Sequence, residues 1–287
     1  MRTITYVNPR GESVVFGDSA PLIVTKLEGV GTPKLDIQTQ KSPYQDGTTY
    51  IASFLNSRSI SIEGALLGQS RENVFAIRRM LVAVLNPKRG PGTLRYEYDG
   101  GVKEITAVPE TGPTFIDSRC GTYRKFVVDF LCPNPFWLDP EGKTEELTAF
   151  DGGLTFPLHL PNGFADESPS KSKIIANEGD VETPVEITFF GPATKPIRIQ
   201  NDTTGEFVEV KQSLFEGEQL VVQTEFGKKS VTKVDASGVV SNAFHYIENN
   251  SIFFQLIEGN NKISYSTGYE YERSPVQVKW RERFLGV

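Results

Sequence analysis

The 287-residue sequence is poor in the residues that build most active sites and metal sites. It contains two histidines and two cysteines, which is too few for a His- or Cys-rich zinc cluster or for a framework of disulfide bonds. Cys120 and Cys132 do not form a C-x-x-C motif, so we expect two reduced thiols, not a redox pair. The sequence therefore predicts neither a metal nor a cofactor.

The sequence also lacks an excess of positive charge and any long apolar run. Lys and Arg number 30 against 36 Asp and Glu, giving a formal net charge of −6. This balance disfavours specific nucleic-acid binding. No run reaches the roughly 18 apolar residues of a membrane helix, and the opening residues MRTITYVNPRGE hold no hydrophobic signal core. We expect a soluble chain made inside the cell, with no membrane partner.

The dominant pattern is period-two alternation between turn clusters. Ile4 and Tyr6 share one face of an alternating segment, and Ile60 and Ile62 share one face of another. Two further segments are rich in strand-forming residues, Lys125–Phe130 and Val185–Phe190. Asp99-Gly-Gly101 between two such segments predicts a hairpin. With 26 glycines and 18 prolines distributed in this way, the chain is predicted to be mainly β.

One segment has helical periodicity. Its apolar residues recur at i, i+3 and i+4, namely Val74, Ile77, Leu81, Val84 and Leu85. Ser70 is suited to the N-cap, and Pro87 ends the helix because it disfavours a helical conformation at the residue before it. The first interpretation is a helix that covers a sheet. In the second, the opposite face, which carries Arg71, Glu72, Arg78 and Arg79, meets a partner subunit. A helix has two faces, so both can hold.

A proline-rich segment marks a boundary between domains. We predict a first domain over residues 1–137, a linker with the first part of the second domain over 138–172, and a second domain over 173–287. Cys132-Pro-Asn-Pro-Phe-Trp137 closes the first domain, and Trp137 is expected to fill the seam between the domains. Regular turns without helical periodicity predict an antiparallel β-sandwich or jelly roll in the second domain.

Few residues are candidates for catalysis. His159 or His245 could act as a general base with distant partners, but no G-x-S-x-G motif supports this, and we favour a local structural role for both. Two carboxylates would suffice for a polysaccharide hydrolase, and 36 acidic residues leave that possible. Turn capping and solubility nevertheless account for most acids in the second half: Glu178, Asp180, Asp202, Glu216, Glu218 and Asp235. We therefore predict no catalytic residues.

A carbohydrate-binding module is the alternative function. Such a module needs aromatic side chains exposed on a sandwich face. Trp280 alternates with Val276 and Val278, so all three are expected on one buried strand face. That spacing favours a core position over a sugar platform.

The order of several segments resembles the distal tail proteins (Dit) of siphophages. In the second half the segments run in the order Asn177–Asp180, Thr183–Gly191, Ile197–Glu206, Leu214–Glu218, Ser251–Asn261 and Val276–Trp280. In the first half an N-terminal hairpin, Arg58–Glu63, one helix and Cys132–Trp137 are similar in layout to the N-terminal belt domain of that family. The similarity covers essentially the whole chain.

This resemblance implies a structural role without catalysis. The implied fold is a β-sandwich-like belt domain with one helix, followed by a galectin-like β-sandwich. Members form a homo-hexamer, alone or as stacked rings, in which the belts close the ring. The ring joins the major tail tube protein to the tail-associated fibre or lysin protein, and in some phages the second domain holds a receptor-binding protein. The expected location is the distal tail of the virion. This chain lacks an insertion large enough for an added carbohydrate-binding module.

Overall fold

The computed structural model describes residues 2–116, 121–148, 172–268 and 274–287. The chain divides into two compact units. The first contains Met1–Pro140 and the last four residues, Phe284–Val287; the second contains Glu141–Arg283. Strands dominate both units, which confirms the predicted mainly β fold. Within the described ranges, no helix has the length and apolar character needed to cross a membrane.

The first unit is a continuous antiparallel sheet with a separate two-stranded hairpin and one α-helix in its described part. Its elements are β1 (Thr3–Val7), β2 (Ser13–Phe16), β3 (Leu22–Glu28), β4 (Leu35–Gln40), β5 (Thr49–Leu55), β6 (Arg58–Leu67), α1 (Arg71–Val84), β7 (Gly92–Tyr98), β8 (Gly101–Pro109), β9 (Thr114–Ile116), β10 (Tyr123–Cys132) and β11 (Trp137–Leu138). The main path of the sheet is β2-β1-β7-β8-β10-β6-β3, and β4 pairs with β5 alone.

Local patterns explain several of these elements. Ile4 and Tyr6 share one face of β1 and Ile60 and Ile62 share one face of β6, as predicted, and all four side chains are buried in the core. The turn at Asp99-Gly100 brings Tyr98 opposite Gly101 and starts the β7–β8 hairpin. These predictions succeed because alternation and turn chemistry act over a few residues.

The predicted helix is also confirmed. Its N-cap is Ser70, whose side chain accepts a hydrogen bond from the backbone N–H of Asn73. The last helical residue is Val84, two residues before the Asn86-Pro87 pair. Val74, Leu81 and Val84 are buried, so one face of α1 covers the core of the first unit.

The second unit is built from two antiparallel sheets around one apolar core. Its strands are β12 (Lys143–Thr148), β13 (Ser172–Asn177), β14 (Thr183–Phe190), β15 (Ile197–Asn201), β16 (Glu206–Val210), β17 (Gln219–Gln223), β18 (Ser230–Val234), β19 (Val240–Asn242), β20 (Gln255–Leu256), β21 (Gly259–Ser266) and β22 (Pro275–Trp280); β23 (Arg283–Phe284) follows. One sheet runs β12-β22-β14-β17-β18-β19, with β20 beside β14, and the other runs β13-β21-β15-β16. Side chains from both sheets meet in a single core, which is the packing of a β-sandwich.

The two tryptophans lie in different cores. Trp280 is buried with Val276 and Val278 on one face of β22, as predicted. Trp137 was expected at a seam between domains, but the structure places it fully buried in the core of the first unit. Its ring centroid lies 6.2 Å from that of Tyr96. The prediction missed this because strand β11, which carries Trp137, pairs with β8 through a contact distant in sequence.

Candidate assembly surfaces

The described residues bring no catalytic set together around the candidate histidine. His245 is exposed in a short 3-10 turn, Phe244–Tyr246, with its ring centroid 4.1 Å from that of Tyr246. His159 and Cys120 lie outside the described residues. Within the described residues, no group of three or more His, Cys, Asp and Glu side chains is placed to hold a metal ion.

Two acidic residues of the second unit have the contacts of turn-capping groups. The Asp235 carboxylate accepts hydrogen bonds from the Ser237 hydroxyl at 2.6 Å and from the Val239 N–H at 2.9 Å. These bonds hold the pKa of Asp235 below its ordinary value. Glu218 pairs with Lys233 at 2.7 Å and accepts the N–H of Phe215, and the pKa of Glu218 is lowered by these contacts. Both carboxylates stay charged and stabilise turns, which supports the interpretation from sequence.

The β4–β5 hairpin, which we call the arm (residues 34–56), is the most exposed apolar segment of the first unit. Its pairing is closed at the base by a hydrogen bond from the N–H of Asn56 to the carbonyl of Lys34. Six large apolar or aromatic side chains of the arm are about half exposed or more: Leu35, Ile37, Tyr44, Tyr50, Ile51 and Phe54. Apolar side chains in this number on one hairpin are typical of an interaction surface.

The strand register gives the arm two different faces. Leu35 and Ile37 of β4 share one face with Tyr50 of β5, which lies opposite Thr39. On the other face Asp36 lies directly opposite Phe54. Residues directly opposite each other in an antiparallel pair place their side chains together on one face. The arm therefore presents one mainly apolar face and one face that combines an acid with an aromatic ring.

A buried arginine fixes the base of the arm. Arg58, at the start of β6, is 2% exposed and donates hydrogen bonds to four carbonyl groups. The acceptors are the carbonyls of Gly29 at 2.9 Å, Pro135 at 2.9 Å, Gly31 and Leu285. The N–H of Val287 also bonds to the carbonyl of Val30. The C-terminal residues are thus tied to the segment that leads into the arm.

The thiol of Cys132 lies near this arginine and is fully buried. Burial raises the pKa of Cys132 to about 12, against a smaller lowering effect of Arg58. A thiol with so high a pKa stays protonated at neutral pH and is a poor nucleophile. Cys132 therefore acts as a small core residue, in agreement with the expectation of a reduced thiol.

The outer side of α1 carries a stripe of arginine and apolar side chains. We call Arg71, Phe75, Arg78 and Val82 the α1 stripe; they follow one another at helical spacing on one side of α1. The Arg78 guanidinium lies 4.5 Å from the ring centroid of Phe115 and 5.8 Å from that of Phe75. Phe75 and Val82 are about half exposed. This is the Arg-bearing face that the sequence left open as a partner surface.

The second unit presents a polar hollow on its four-stranded sheet. The hollow has a volume of about 360 Å³ and is lined by Arg198, Gln200, Asp202, Lys262 and Ser264, among others. These groups bond to one another: Arg198 donates to Gln200 at 2.8 Å, and Ser264 donates to Asp202 at 2.9 Å. Arg198 also lies 3.7 Å from the ring centroid of Phe207. Four of the lining side chains are thus already hydrogen-bonded in two pairs.

The aromatic side chains that the second unit exposes are poor sugar platforms. In its described residues the well-exposed rings are those of Phe215, Phe226 and Phe244, which lie in turns and in a 3-10 segment. Trp280 is in the core. The alternative of a carbohydrate-binding module predicted an exposed patch containing Tyr or Trp, and no observation on the described residues favours it.

The sequence analysis did not find the arm or the role of Arg58. The alternation Leu35-Asp-Ile-Gln-Thr-Gln40 and the Asp46-Gly47 pair were signals for the hairpin. No local signal shows that a hairpin remains uncovered, because covering depends on the rest of the fold. Arg58 and Leu285 are 227 positions apart, so their contact has no local signal either.

Two family models match the chain in tandem. Residues 10–132 match the phage tail protein RIFT-related domain. Residues 178–284 match the C-terminal domain of siphovirus-type tail components. Together the two matches span about four-fifths of the chain. None of the curated protein sequences is similar enough to this chain to count as a match.

Solved structures share the fold over the whole length of the chain. The Dit protein of phage SPP1, described as a paradigm of hub adsorption apparatus in phages that infect Gram-positive bacteria, matches with a TM-score of 0.72 at 14% identity, covering 99% of both chains. The baseplate of phage P2 in its activated conformation with calcium matches with a TM-score of 0.56 at 12% identity over 100% of both chains. The strontium form of that baseplate matches with a TM-score of 0.54 at 12% identity, again over 100% of both chains.

Proposed function

This chain belongs to the family of siphophage distal tail proteins, and from that premise we propose that six copies close into a ring that acts as an adaptor at the tail tip. The chain is a structural component of the distal tail of the virion. The proposed ring joins the major tail tube protein to the tail-associated fibre or lysin protein, and a receptor-binding protein attaches at its periphery. The subunits are made in the host cytoplasm before assembly.

The arm is the observation that carries this proposal. A two-stranded hairpin alone in water is at best marginally stable and needs a further surface against its apolar side chains. Ile37, Tyr50 and Phe54 of the arm are 56%, 62% and 57% exposed, respectively, in the single chain. A neighbouring copy that covers them would remove this apolar area from water and stabilise both the arm and the ring. The arm is therefore the proposed belt.

The adaptor works through surfaces and needs no reacting residue. Its proposed energy source is the burial of apolar side chains between copies, concentrated in a few large residues of the arm. The carboxylates of Glu218 and Asp235 accept hydrogen bonds within the turns that contain them, and Cys132 stays a protonated thiol. We propose that any wall-degrading chemistry at the tail tip belongs to a partner protein.

The test is the assembly state of the full chain. Native mass spectrometry and negative-stain electron microscopy of the purified protein, alone and mixed with the tail tube protein, are expected to reveal rings of six copies. A chain that remains monomeric at micromolar concentration in both samples would contradict the proposal.

Substitutions in the arm separate assembly from folding. Ile37→Ser combined with Tyr50→Ser removes exposed apolar groups, so the fold should be retained while the concentration needed for ring formation rises roughly tenfold or more. The matched control is Val239→Ser with Val240→Ser in the second unit, where the side chains are 60% and 64% exposed. The control is expected to assemble like the unsubstituted chain.

A further inference from the structure

We propose that the arm of one copy docks on the α1 stripe of the next copy. This inference rests on the proposed ring and names the surface that receives the arm. The occupant of the stripe is a second copy of this chain, and the contact joins two different surfaces. A contact of this head-to-tail kind generates a closed ring when the rotation between copies closes.

The stripe offers positive charge beside apolar area. The Arg71 guanidinium lies 5.9 Å from the ring centroid of Phe75, and Arg78 lies over Phe115. Ile116, the neighbour of Phe115 in β9, is exposed and extends the apolar area next to the stripe. Arg79 is exposed beside the stripe and makes no ion pair with a described residue. The guanidinium groups are therefore placed to receive a carboxylate or an aromatic ring.

The acid-bearing face of the arm has the complementary groups. Asp36 lies directly opposite Phe54 in the register of β4 and β5, and both are exposed. Within the described residues the Asp36 carboxylate has no ion pair and no hydrogen bond. An arginine prefers the same two partners that this face offers, a carboxylate for its charge and an aromatic ring for stacking. Charge and apolar area thus match between the two surfaces.

The two surfaces lie at opposite ends of one strand. The arm ends at residue 56, just before β6 starts at Arg58, whereas α1 starts at Arg71, just after β6 ends at Leu67. A strand of ten residues is about 30 Å long. The arm base and the start of α1 are therefore separated by about the length of β6. Complementary surfaces at opposite ends of a subunit favour contact between copies over contact within one copy.

Photo-crosslinking tests the assignment directly. The full chain carries p-benzoylphenylalanine in place of Phe54, is mixed in equal amounts with an isotopically labelled unsubstituted chain, and is irradiated as rings. We expect crosslinks from position 54 of one copy to residues 71–82 or 115–116 of another. Crosslinks that fall only elsewhere, on the second unit or on an added tail tube protein, would overturn the assignment.

Charge reversal provides the second test. Asp36→Lys should raise the concentration needed for ring formation roughly tenfold, because the new positive charge would be repelled by the arginines of the neighbouring copy across the proposed contact. Arg79→Glu in the same chain should restore assembly, with Arg71→Glu as the second compensating substitution. The matched control is Glu258→Lys, which makes the same charge change at an exposed turn of the second unit and should assemble normally.

The outcomes separate this inference from the proposed function. If the unsubstituted chain forms rings but neither compensating substitution rescues Asp36→Lys, the docking site is wrong and the ring stands. If the unsubstituted chain forms no ring, both fail. Rescue by Arg79→Glu or Arg71→Glu together with crosslinks to α1 supports both.

Discussion

Each of the two units has its own apolar core, but the units differ in where they leave apolar side chains exposed. In the first unit these side chains concentrate on the arm and on the α1 stripe. In the second unit they are scattered over turns and two edge strands, as Phe215, Val240 and Ile174 illustrate. Contiguous apolar area drives association, whereas single exposed apolar residues are normal on protein surfaces. The first unit therefore carries the surfaces that we propose for assembly.

Both units hold charged side chains in ion pairs, but the first unit also buries an arginine among backbone carbonyl groups. The second unit joins Lys143 to Glu282 and Lys233 to Glu218, each at 2.7 Å. The first unit buries Arg58 among backbone carbonyls. A buried charge is costly when the acceptors that stabilise it are lost. Substitution of Arg58, which holds the base of the arm, is therefore expected to be strongly destabilising.

The largest expected effect comes from the two tryptophans and tests whether the units have separate cores. Trp137→Ala should destabilise the first unit by about 3–5 kcal/mol, because it leaves a cavity in a packed core. Trp280→Ala should do the same to the second unit. Hydrogen exchange followed by mass spectrometry should show lost protection in β6 and β10 for the first variant and in β14 and β17 for the second. Equal loss of protection in all four strands for either variant would show that the two units do not unfold as separate cores.

Next in size is the contrast between two arginines. Arg58→Met should cost about 3 kcal/mol, because four carbonyl groups lose a buried donor. Arg198→Met in the second unit should cost less than about 1 kcal/mol, since its partners Gln200 and Glu209 remain near water. Urea unfolding curves measure both changes. Similar midpoints for the two variants would show that Arg58 contributes no more than a surface arginine does.

The smallest effect is a dependence of stability on acid pH. The hydrogen bond from Lys233 lowers the pKa of Glu218 below 4.5, and Asn8 and Arg89 do the same for Glu12 in the first unit. A lowered folded-state pKa gives stabilisation that is complete above pH 4.5 and is lost as the pH falls through the folded-state pKa. The urea midpoint should therefore fall as the pH is lowered. Glu218→Gln should reduce this fall more than Glu12→Gln does, because the Glu218 side chain is 12% exposed and better shielded from water than that of Glu12, which is 46% exposed.

The exposed turn residue Glu258 supplies the control for the pH experiment. Glu258→Gln should leave the pH dependence unchanged. A larger effect of Glu12→Gln would show that shielding from water does not decide how much each ion pair contributes to the pH dependence of stability.

The elements that the sequence predicted correctly depend on neighbours in the chain. Val276, Val278 and Trp280 share a face because side chains alternate in a strand. The helix starts after Ser70 because a hydroxyl at that position accepts a backbone N–H. The resemblance of the segment order to distal tail proteins indicated the family that the two family matches then established.

The elements that the prediction missed depend on contacts distant in the chain. Trp137 enters the core of the first unit through strand pairing with β8. The return of residues 284–287 to the first unit is held by Arg58. The apolar arm resembles any alternating hairpin in sequence, and its exposure follows from the absence of a described element packed over it.

Amino-acid order alone determined the strands, the helix with its cap, and the mainly β class, because each depends on interactions within a few residues. Tertiary structure decided which apolar faces are buried and which stay open. Burial is a property of the whole folded chain, so the surfaces that we propose for assembly could be located only after the chain was folded.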